Sequence, residues 1–381
     1  MLAETIPLYP LYALLFADAG LSDAEISALF AIWSAVSLLA EVPTGMLADR
    51  FSRRANLVAA GVTTAAGFAM WVVAPSFPGF AAGFALWAIG GALTSGAFEA
   101  LLFDALAAAG ASEQYPRLLG RVTSMGLLAQ VPAAGLATAL FAVGGYTLVG
   151  WVSVAVSLAA AALAACFPEA PLSSSARAVD DGDVRRTPSY LAGVLAELRT
   201  TAALPGVTGA VLAVALVTAL DTAEEYFGLL AMNWGVPTAA VPLAIVAIPL
   251  AGAVGASMGG AAARLRPGSL AALLGAAALL LGAAAFVARP VGLVAVAACY
   301  GLGQLVQVVV DARLQRRIPS NQRATVTSVA GLGGELAAFA VYAGWAVGQA
   351  SAIAALVGLI AILLPLMLRP GSVSRRRGRR H

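Results

Sequence analysis

The chain is poor in charge, cysteine and histidine, and each shortage excludes a class of function. Only 11% of its 381 residues are charged, far below the roughly 25% of soluble globular proteins. The one histidine is the last residue, His381, which excludes a histidine-based catalytic or metal site. Cys166 and Cys299 lie inside apolar runs and are predicted to pack as small side chains rather than to form a disulfide. The sequence contains no P-loop. We therefore expect no enzyme activity, no cofactor, no metal and no transport driven by ATP hydrolysis within this chain.

Long apolar runs take the place of charge. Hydrophobic residues make up 61% of the chain, and its mean hydropathy is +0.90. A membrane-spanning helix needs about 20 mostly apolar residues. The runs do not alternate as the strands of an outer-membrane barrel would, so the sequence predicts an all-α membrane protein. The twelve predicted spans are residues 3–19, 24–44, 55–74, 80–103, 120–141, 147–167, 207–230, 239–261, 269–288, 291–311, 324–346 and 350–369.

The basic residues predict the orientation in the membrane. Lysine is absent, and all 22 basic residues are arginine. With both termini in the cytoplasm, every arginine except Arg289 lies in a cytoplasmic segment, as the positive-inside rule requires. The formal net charge of +3 therefore reflects orientation and not nucleic-acid binding. We expect a multi-pass protein of a bacterial cytoplasmic membrane. Its basic tail, residues 370–381, is either solvated or in contact with anionic lipid.

The twelve spans form two sets of six that can be overlaid. In this overlay Gly20, after the first span, matches Gly235, after the seventh, and Asp18 falls opposite Asn233. The linker between the sets is rich in proline, serine and aspartate. The predicted domains are an N-terminal six-helix bundle (1–167), a cytoplasmic linker (168–206), a C-terminal six-helix bundle (207–369) and the basic tail (370–381).

The overlay also predicts an unusual first helix. Met1 falls opposite Leu216, although the seventh span begins well before that residue. We therefore expect either a true start further upstream or an unusually short first helix.

The segment Gly45-Met-Leu-Ala-Asp49-Arg50-Phe-Ser52-Arg53-Arg54 joins the second and third spans. It resembles the signature loop of major facilitator superfamily transporters, roughly G-x-L-A-D-R-x-G-R-R, and departs from it at Ser52. The alternative is a generic positive-inside loop. The resemblance implies a twelve-helix monomer made of two six-helix bundles related by a pseudo-two-fold axis. It also implies a substrate site near the membrane midplane between the bundles.

In this family the loop acid meets the opposite bundle near the eleventh helix and holds the cytoplasmic side shut. The resemblance therefore assigns a conformational gate loop formed by Gly45, Asp49, Arg50, Arg53 and Arg54. It further implies that helices one, four, seven and ten line the cavity.

Acidic residues within the spans indicate where a site lies, because a charged group at mid-bilayer costs about 2.5–3.5 kcal/mol even on insertion scales. Spans three, six, nine and twelve carry none in their interiors and are assigned to lipid. Span seven carries Asp221, Glu224 and Glu225, with Glu225 expected one helical turn from Asp221 on the same face. Three carboxylates this close cannot all stay ionised in a dry setting, so at least one is expected to take up and release a proton. The alternative is a water-filled vestibule whose acids only attract cations.

Other polar residues within the spans are weaker candidates. Glu41, Glu99 and Glu335 are candidates for proton coupling or for the cavity, and Glu41 is also suited to bridging helices two and eleven. Gln304 and Gln307, one turn apart in span ten, are candidate hydrogen-bond partners of the substrate. Each of these residues is also compatible with ordinary interhelical packing, as are three tyrosines that could form an aromatic cavity wall. They are Tyr9, Tyr12 and Tyr226.

The resemblance favours proton-coupled efflux of a small hydrophobic or cationic compound, as in the drug-exporter branch. The expected partners are this substrate, H+ and the lipid bilayer, without nucleic acid. Two family patterns are eroded: Leu86-Trp87 stands where many proton-coupled members have an arginine, and the fifth-helix antiporter pattern survives only as Pro132 and Gly135. Two alternatives remain, namely uptake or facilitated exchange of a small polar nutrient, and a non-transporting scaffold or receptor.

Overall fold

The computed structural model describes residues 5–50, 52–94, 97–108, 110–167, 207–318 and 323–369. All regular structure in these residues is helical, which confirms the predicted all-α class. The α-helices are α1 (Tyr12–Asp18), α2 (Asp23–Arg50), α3 (Arg53–Val73), α4 (Phe77–Thr94), α5 (Ala97–Ala108), α6 (Tyr115–Ala165), α7 (Thr208–Ala219), α8 (Phe227–Asn233), α9 (Val241–Ile245), α10 (Ala247–Ser257), α11 (Gly259–Ala262), α12 (Pro267–Val287), α13 (Gly292–Arg317) and α14 (Arg323–Met367). Short 3₁₀-helices cover Ser112–Gln114, Leu220–Tyr226 and Thr238–Ala240.

Eight helical stretches of the described chain are long and apolar enough to cross a membrane. Two of them contain a break: α6 at Gly144 and Gly145 (φ 58°), and α14 at Gly348 and Gln349 (φ 47°). Each broken helix therefore supplies two spans. The two remaining predicted spans, one and seven, contain the short helices α1, α7 and α8 beside turns or a 3₁₀-helix. The described helices are thus roughly consistent with the twelve predicted spans.

The backbone repeats the overlay predicted from the sequence. Helices α1 and α8 are both seven residues long and begin at residues 12 and 227. Both are followed by a glycine with positive φ, 90° at Gly20 and 89° at Gly235. The N–H of Leu21 donates to the carbonyl of Phe16 (3.1 Å), and the N–H of Val236 donates to that of Ala231 (3.0 Å). This closure is the Schellman type, which favours glycine because an L side chain is strained there.

Spans one and seven are irregular at matching positions. Residues 5–11 precede α1 as turns, and the 3₁₀-helix Leu220–Tyr226 precedes α8. In the first copy, Pro7 and Pro10 have no N–H to donate. The buried N–H of Leu8 donates to Oγ of Ser153 on α6 (3.1 Å), and that hydroxyl donates to the carbonyl of Val149 (2.8 Å). Because an unpaired backbone group within a bilayer costs several kcal/mol, Ser153 stabilises the non-helical segment.

Contacts divide the chain into two compact units. The first comprises Met1–Thr187 with Glu225–Val246, and the second comprises Pro188–Glu224 with Ala247–His381. The chain therefore passes from one unit to the other between Glu224 and Glu225, inside the 3₁₀-helix. The division into six-helix bundles at 1–167 and 207–369 stays a prediction.

Within the second unit, α10 and α13 approach closely through glycine. A Cβ placed on Gly255 would overlap the carbonyl oxygen of Gly301. A Cβ placed on Gly301 would lie 2.9 Å from the carbonyl oxygen of Ala251. Small residues at such crossings let the backbones of membrane helices pack against each other. This contact fixes the position of α13, which carries the polar side chains described next.

Candidate functional site

The 3₁₀-helix between α7 and α8 positions two carboxylates. Side chains three residues apart eclipse in a 3₁₀-helix, which has three residues per turn. Asp221 and Glu224 therefore share a face. The sequence-based expectation that Glu225 shares this face with Asp221 is wrong, because it assumed a regular α-helix here.

One face of α13 carries the partners of both carboxylates. Tyr300, Gln304 and Gln307 are spaced four and three residues apart, so they form one polar stripe in the apolar middle of the helix, before its charged C-terminal end. Nε2 of Gln304 donates to Oδ1 of Asp221 (2.5 Å), and Nε2 of Gln307 donates to Oδ2 of the same residue (2.9 Å). The hydroxyl of Tyr300 donates to Oε2 of Glu224 (3.1 Å). Two glutamines thus bind Asp221, and the tyrosine binds Glu224.

Two further residues lie beside these hydrogen bonds. Oγ1 of Thr218 lies 3.5 Å from Nε2 of Gln307, one helical turn before Asp221. Gly252 on α10 leaves room for the tyrosine ring, since a Cβ there would lie 2.5 Å from Cε1 of Tyr300. The carboxylate cluster comprises Thr218, Asp221, Glu224, Tyr300, Gln304 and Gln307.

No arginine in the described part of the chain pairs with the carboxylate cluster. None of the described arginines bonds to Asp221 or Glu224, and those of the second unit lie near helix ends. Two of these, Arg313 and Arg317, donate instead to the backbone carbonyls of Leu265 and Leu368. Within the described residues, the donors to Asp221 and Glu224 are neutral. A site of this composition can attract a cation or take up a proton, and both processes reduce its negative charge.

The hydrogen bonds of the cluster involve none of the other acidic candidates. Glu225 is half-buried and belongs to the first unit. Glu335 is exposed on α14. The hydrogen-bond partners of Asp221 and Glu224 lie on another helix, α13. The side chains of Glu41 and Glu99 are not among the described parts of the chain.

The three candidate tyrosines lie in the first unit, where aromatic rings form much of the core. Tyr9 stacks on Trp87 with 5.3 Å between ring centroids, and both rings are half-buried. Tyr12 is buried among other aromatic rings. Tyr226 is 1% exposed, and its hydroxyl shares a hydrogen bond with Oγ of Ser27 (2.9 Å). Tyr12 and Tyr226 are therefore packed in the core, which agrees with the alternative that these tyrosines serve interhelical packing.

Tyr226→Phe should lower the stability of the protein by about 1 kcal/mol, the usual net value of one hydrogen bond. The ring keeps its edge-to-face contact with Phe30 at 5.2 Å, so packing is preserved. The freed Ser27 hydroxyl can turn to a backbone carbonyl of its own helix, which limits the loss. Thermal unfolding of the purified protein measures the effect. The control is Tyr115→Phe, because the Tyr115 hydroxyl makes no hydrogen bond in the described part of the chain. Equal unfolding temperatures in the two variants would contradict the prediction.

Most residues of the predicted gate loop lie in helices. Helix α2 continues to Arg50, and α3 begins at Arg53. The hydroxyl of Ser52 accepts a hydrogen bond from the N–H of Ala55 (3.1 Å), so the residue that departs from the family pattern is the N-cap of α3. Arg54 donates to the carbonyl of Phe167 at the end of α6 (3.4 Å). The side chains of Gly45, Asp49 and Arg50 fall outside the described residues.

Sequence reasoning missed Tyr300, Thr218 and Ser27. The sequence did indicate Tyr300, because it stands one helical turn before Gln304 and so lies on the same face of the helix. Thr218 likewise stands one turn before Asp221. Nothing in the sequence indicated Ser27, since a serine in an apolar helix is common and its partner Tyr226 is distant in the sequence.

Comparison with known proteins identifies the family. Residues 1–342 match the family model of the Major Facilitator Superfamily. The chain belongs to this superfamily. It is therefore a multi-pass membrane transporter of small-molecule substrates and not an enzyme. No relative among the curated proteins matches the sequence.

Solved structures of other superfamily transporters have the same fold. The nucleoside transporter NupG superposes with a TM-score of 0.69 at 12% identity, covering 96% of this chain and 95% of its own. The POT family transporter PepTSo gives 0.69 at 13% identity, with coverage of 96% and 95%. A D-xylose-proton symporter gives 0.68 at 13% identity, with coverage of 97% and 96%. At these identities the similarity shows the superfamily fold and says nothing about the substrate.

Proposed function

We propose that this transporter exports a small hydrophobic or cationic compound in exchange for protons. The observation that carries the proposal is the carboxylate cluster, in which Asp221 and Glu224 lie midway along the predicted span 207–230 without a basic partner among the described residues. Acidic groups at this depth are costly and generally serve transport or proton relay. A carrier of neutral compounds that used no ion gradient would have no need of them.

The proposed cycle alternates access to the carboxylate cluster from the two sides of the membrane. A proton enters from outside, where it neutralises one carboxylate and lets the empty carrier turn inward. Release of that proton to the cytoplasm restores the negative charge, which then attracts a cationic substrate for export. The eroded fifth-helix pattern, Pro132 and Gly135, adds slight support for exchange in this direction. We place the protein, as a monomer, in a bacterial cytoplasmic membrane with both termini inside.

Everted membrane vesicles test the direction of transport. Vesicles containing the chain, with an imposed inward-acidic proton gradient, should accumulate tetraphenylphosphonium or another small organic cation from a panel. Vesicles without the chain, and loaded vesicles treated with a protonophore, are the controls. Accumulation in intact cells would instead support uptake. No flux of any compound in either preparation would reject both directions and favour a non-transporting role.

Asp49→Asn should change the balance between inward-open and outward-open forms without unfolding the protein. We propose that the charge of this gate-loop acid is attracted to the positive N-terminal end of a helix in the opposite bundle. Such an attraction contributes about 0.3–1 kcal/mol, or more when it is partly buried. Losing it should change the transport rate several-fold. The control is Asp311→Asn, at an exposed acid near the end of α13. A transport rate equal to that of the unmodified protein would show that Asp49 does not form the gate.

A further inference from the structure

We infer that the two carboxylates of the cluster have different tasks: Gln304 and Gln307 hold Asp221 as a fixed negative charge, and Glu224 exchanges the proton with the help of Tyr300. This inference rests on the proposed proton-coupled function and assigns its steps to particular residues. It follows from the chemistry of the hydrogen-bond donors at each carboxylate.

The hydrogen-bond donors at Asp221 favour its ionised form. Each of its two oxygens accepts a hydrogen bond from a glutamine amide nitrogen, at 2.5 and 2.9 Å. An amide N–H₂ group can donate but cannot accept, and an ionised carboxylate accepts only. A proton on either oxygen would therefore compete with a donor already in place. Bonds of this kind are also stronger when the acceptor is charged.

Thr218 and α10 keep the two glutamines in this orientation. Oγ1 of Thr218 lies 3.5 Å from the same Nε2 of Gln307 that donates to Asp221. On the other side, a Cβ placed on Gly252 would lie 3.3 Å from Cγ of Gln304, so the stem of that glutamine is packed against α10. Gln304 and Gln307 are positioning residues, since they act on transport through Asp221.

Glu224 is bound in a way that suits both of its forms. Its one hydrogen bond uses Oε2 and comes from the hydroxyl of Tyr300 at 3.1 Å. A phenol can donate or accept, so the pair stays bonded after protonation, with the glutamic acid then donating. Oε1 makes no hydrogen bond in the described structure, and Glu224 is exposed at the surface of its unit. Proton exchange at Glu224 requires that water reach this oxygen.

The proton step is balanced by water alone. On the outer side hydronium gives a proton to Oε1 of Glu224, forming an O–H bond and leaving water. On the inner side that O–H bond breaks and the proton passes to water. One proton enters per cycle, while Asp221 keeps its charge throughout. A cluster with one fixed and one exchangeable negative charge suits a substrate with a single positive charge, such as a protonated amine or a quaternary ammonium ion.

Other titratable groups lie on the elements packed around Glu224. Its own segment carries Asp221 and Glu225, and α13 carries Tyr300 and Cys299. Helix α14 carries Glu335, next to Gly334, whose Cβ position lies 3.6 Å from Cγ2 of Thr218. A test of the inference must therefore separate Glu224 from these groups residue by residue.

Infrared difference spectroscopy of the full-length protein in lipid vesicles makes that separation, because a protonated carboxylic acid has its own C=O band. Lowering the pH from mildly alkaline to mildly acidic should produce this band in the unmodified protein. In difference spectra against single variants, Glu224→Gln should remove the component of this band that moves with Tyr300→Phe, whereas Asp221→Asn, Glu225→Gln and Glu335→Gln should each keep it. Tyr300→Phe should move its titration midpoint without removing it.

The double variant Gln304→Leu, Gln307→Leu should gain a second carboxylic acid band, because Asp221 then loses the donors that keep it ionised. The matched control is Gln315→Leu, an amide on the same helix that bonds to Thr327 away from the cluster (3.1 Å). Loss of the Tyr300-sensitive component in Asp221→Asn, its persistence in Glu224→Gln, or no second band in the double variant would overturn the inference. The measurement needs no substrate, so failure of the export assay and failure of this assignment are distinguishable.

Discussion

Asp221→Asn is expected to abolish concentrative transport of organic cations while the protein remains folded. Two unit charges 4 Å apart attract each other by about 4 kcal/mol at an effective dielectric constant near 20. Losing even half of this attraction weakens cation binding more than tenfold, and losing most of it weakens binding more than a hundredfold. The shape of the side chain is kept, so the largest loss is that of the charge.

The asparagine also disturbs the hydrogen bonds around it. Its own N–H₂ group would face Nε2 of Gln304 or Gln307, so one half-buried donor would lose its acceptor, at a cost of up to about 1 kcal/mol. Cation flux into everted vesicles measures the effect, and Asp311→Asn is again the matched loss of one exposed charge. Wild-type flux in Asp221→Asn would remove this residue from the transport mechanism.

Gly255→Ala should sharply reduce the amount of folded protein. The new Cβ would overlap the carbonyl oxygen of Gly301. This oxygen belongs to the backbone of α13, which cannot rotate away as the end of a flexible side chain can. Helices α10 and α13 would have to separate. Overpacking of this kind typically costs about 1–3 kcal/mol and occasionally more. Because α13 carries Tyr300, Gln304 and Gln307, the carboxylate cluster would also be displaced in any protein that folds.

Gly303→Ala is the matched control on α13, since a Cβ there meets no atom within 4 Å. It should be neutral or slightly stabilising, because alanine favours a helix more than glycine does. The yield of monodisperse protein after purification and the thermal unfolding midpoint measure both variants. Equal yields and midpoints would show that α10 and α13 do not depend on their glycine contact.

The helical spans could be predicted because a bilayer imposes the length of an apolar run. The overlay of Gly20 on Gly235 was also visible in the sequence, because only glycine readily takes the left-handed conformation that ends both helices. The break in α14 was harder to place. Gln349 takes a φ of 47° there without being glycine. The break is indicated only by Gly145, which occupies the same position in the broken helix α6.

The face of the carboxylates could not be predicted from local sequence. Nothing in Leu220–Tyr226 excludes an α-helix, and an α-helix would have paired Asp221 with Glu225. The available clue was remote: the matching residues 5–11 contain Pro7 and Pro10, which are unfavourable within a helix. The repeat therefore carried information about span seven that the segment itself did not. Contacts such as Tyr226 with Ser27 depend on packing between distant residues, and no pattern in the sequence indicates them.

The most direct test is whether water reaches the carboxylate cluster from each side of the membrane in turn. Thr218→Cys, in a protein whose two native cysteines are replaced (Cys166→Ser, Cys299→Ala), places one thiol beside Asp221. A charged, membrane-impermeant thiol reagent is added to right-side-out and to inside-out vesicles. Leu279→Cys, on α12 at an apolar side chain that is 76% exposed, is the control for a thiol facing lipid. Alternating access predicts that Thr218→Cys is labelled in both preparations and Leu279→Cys in neither. Labelling of Thr218→Cys from one side only, or from neither, would contradict it.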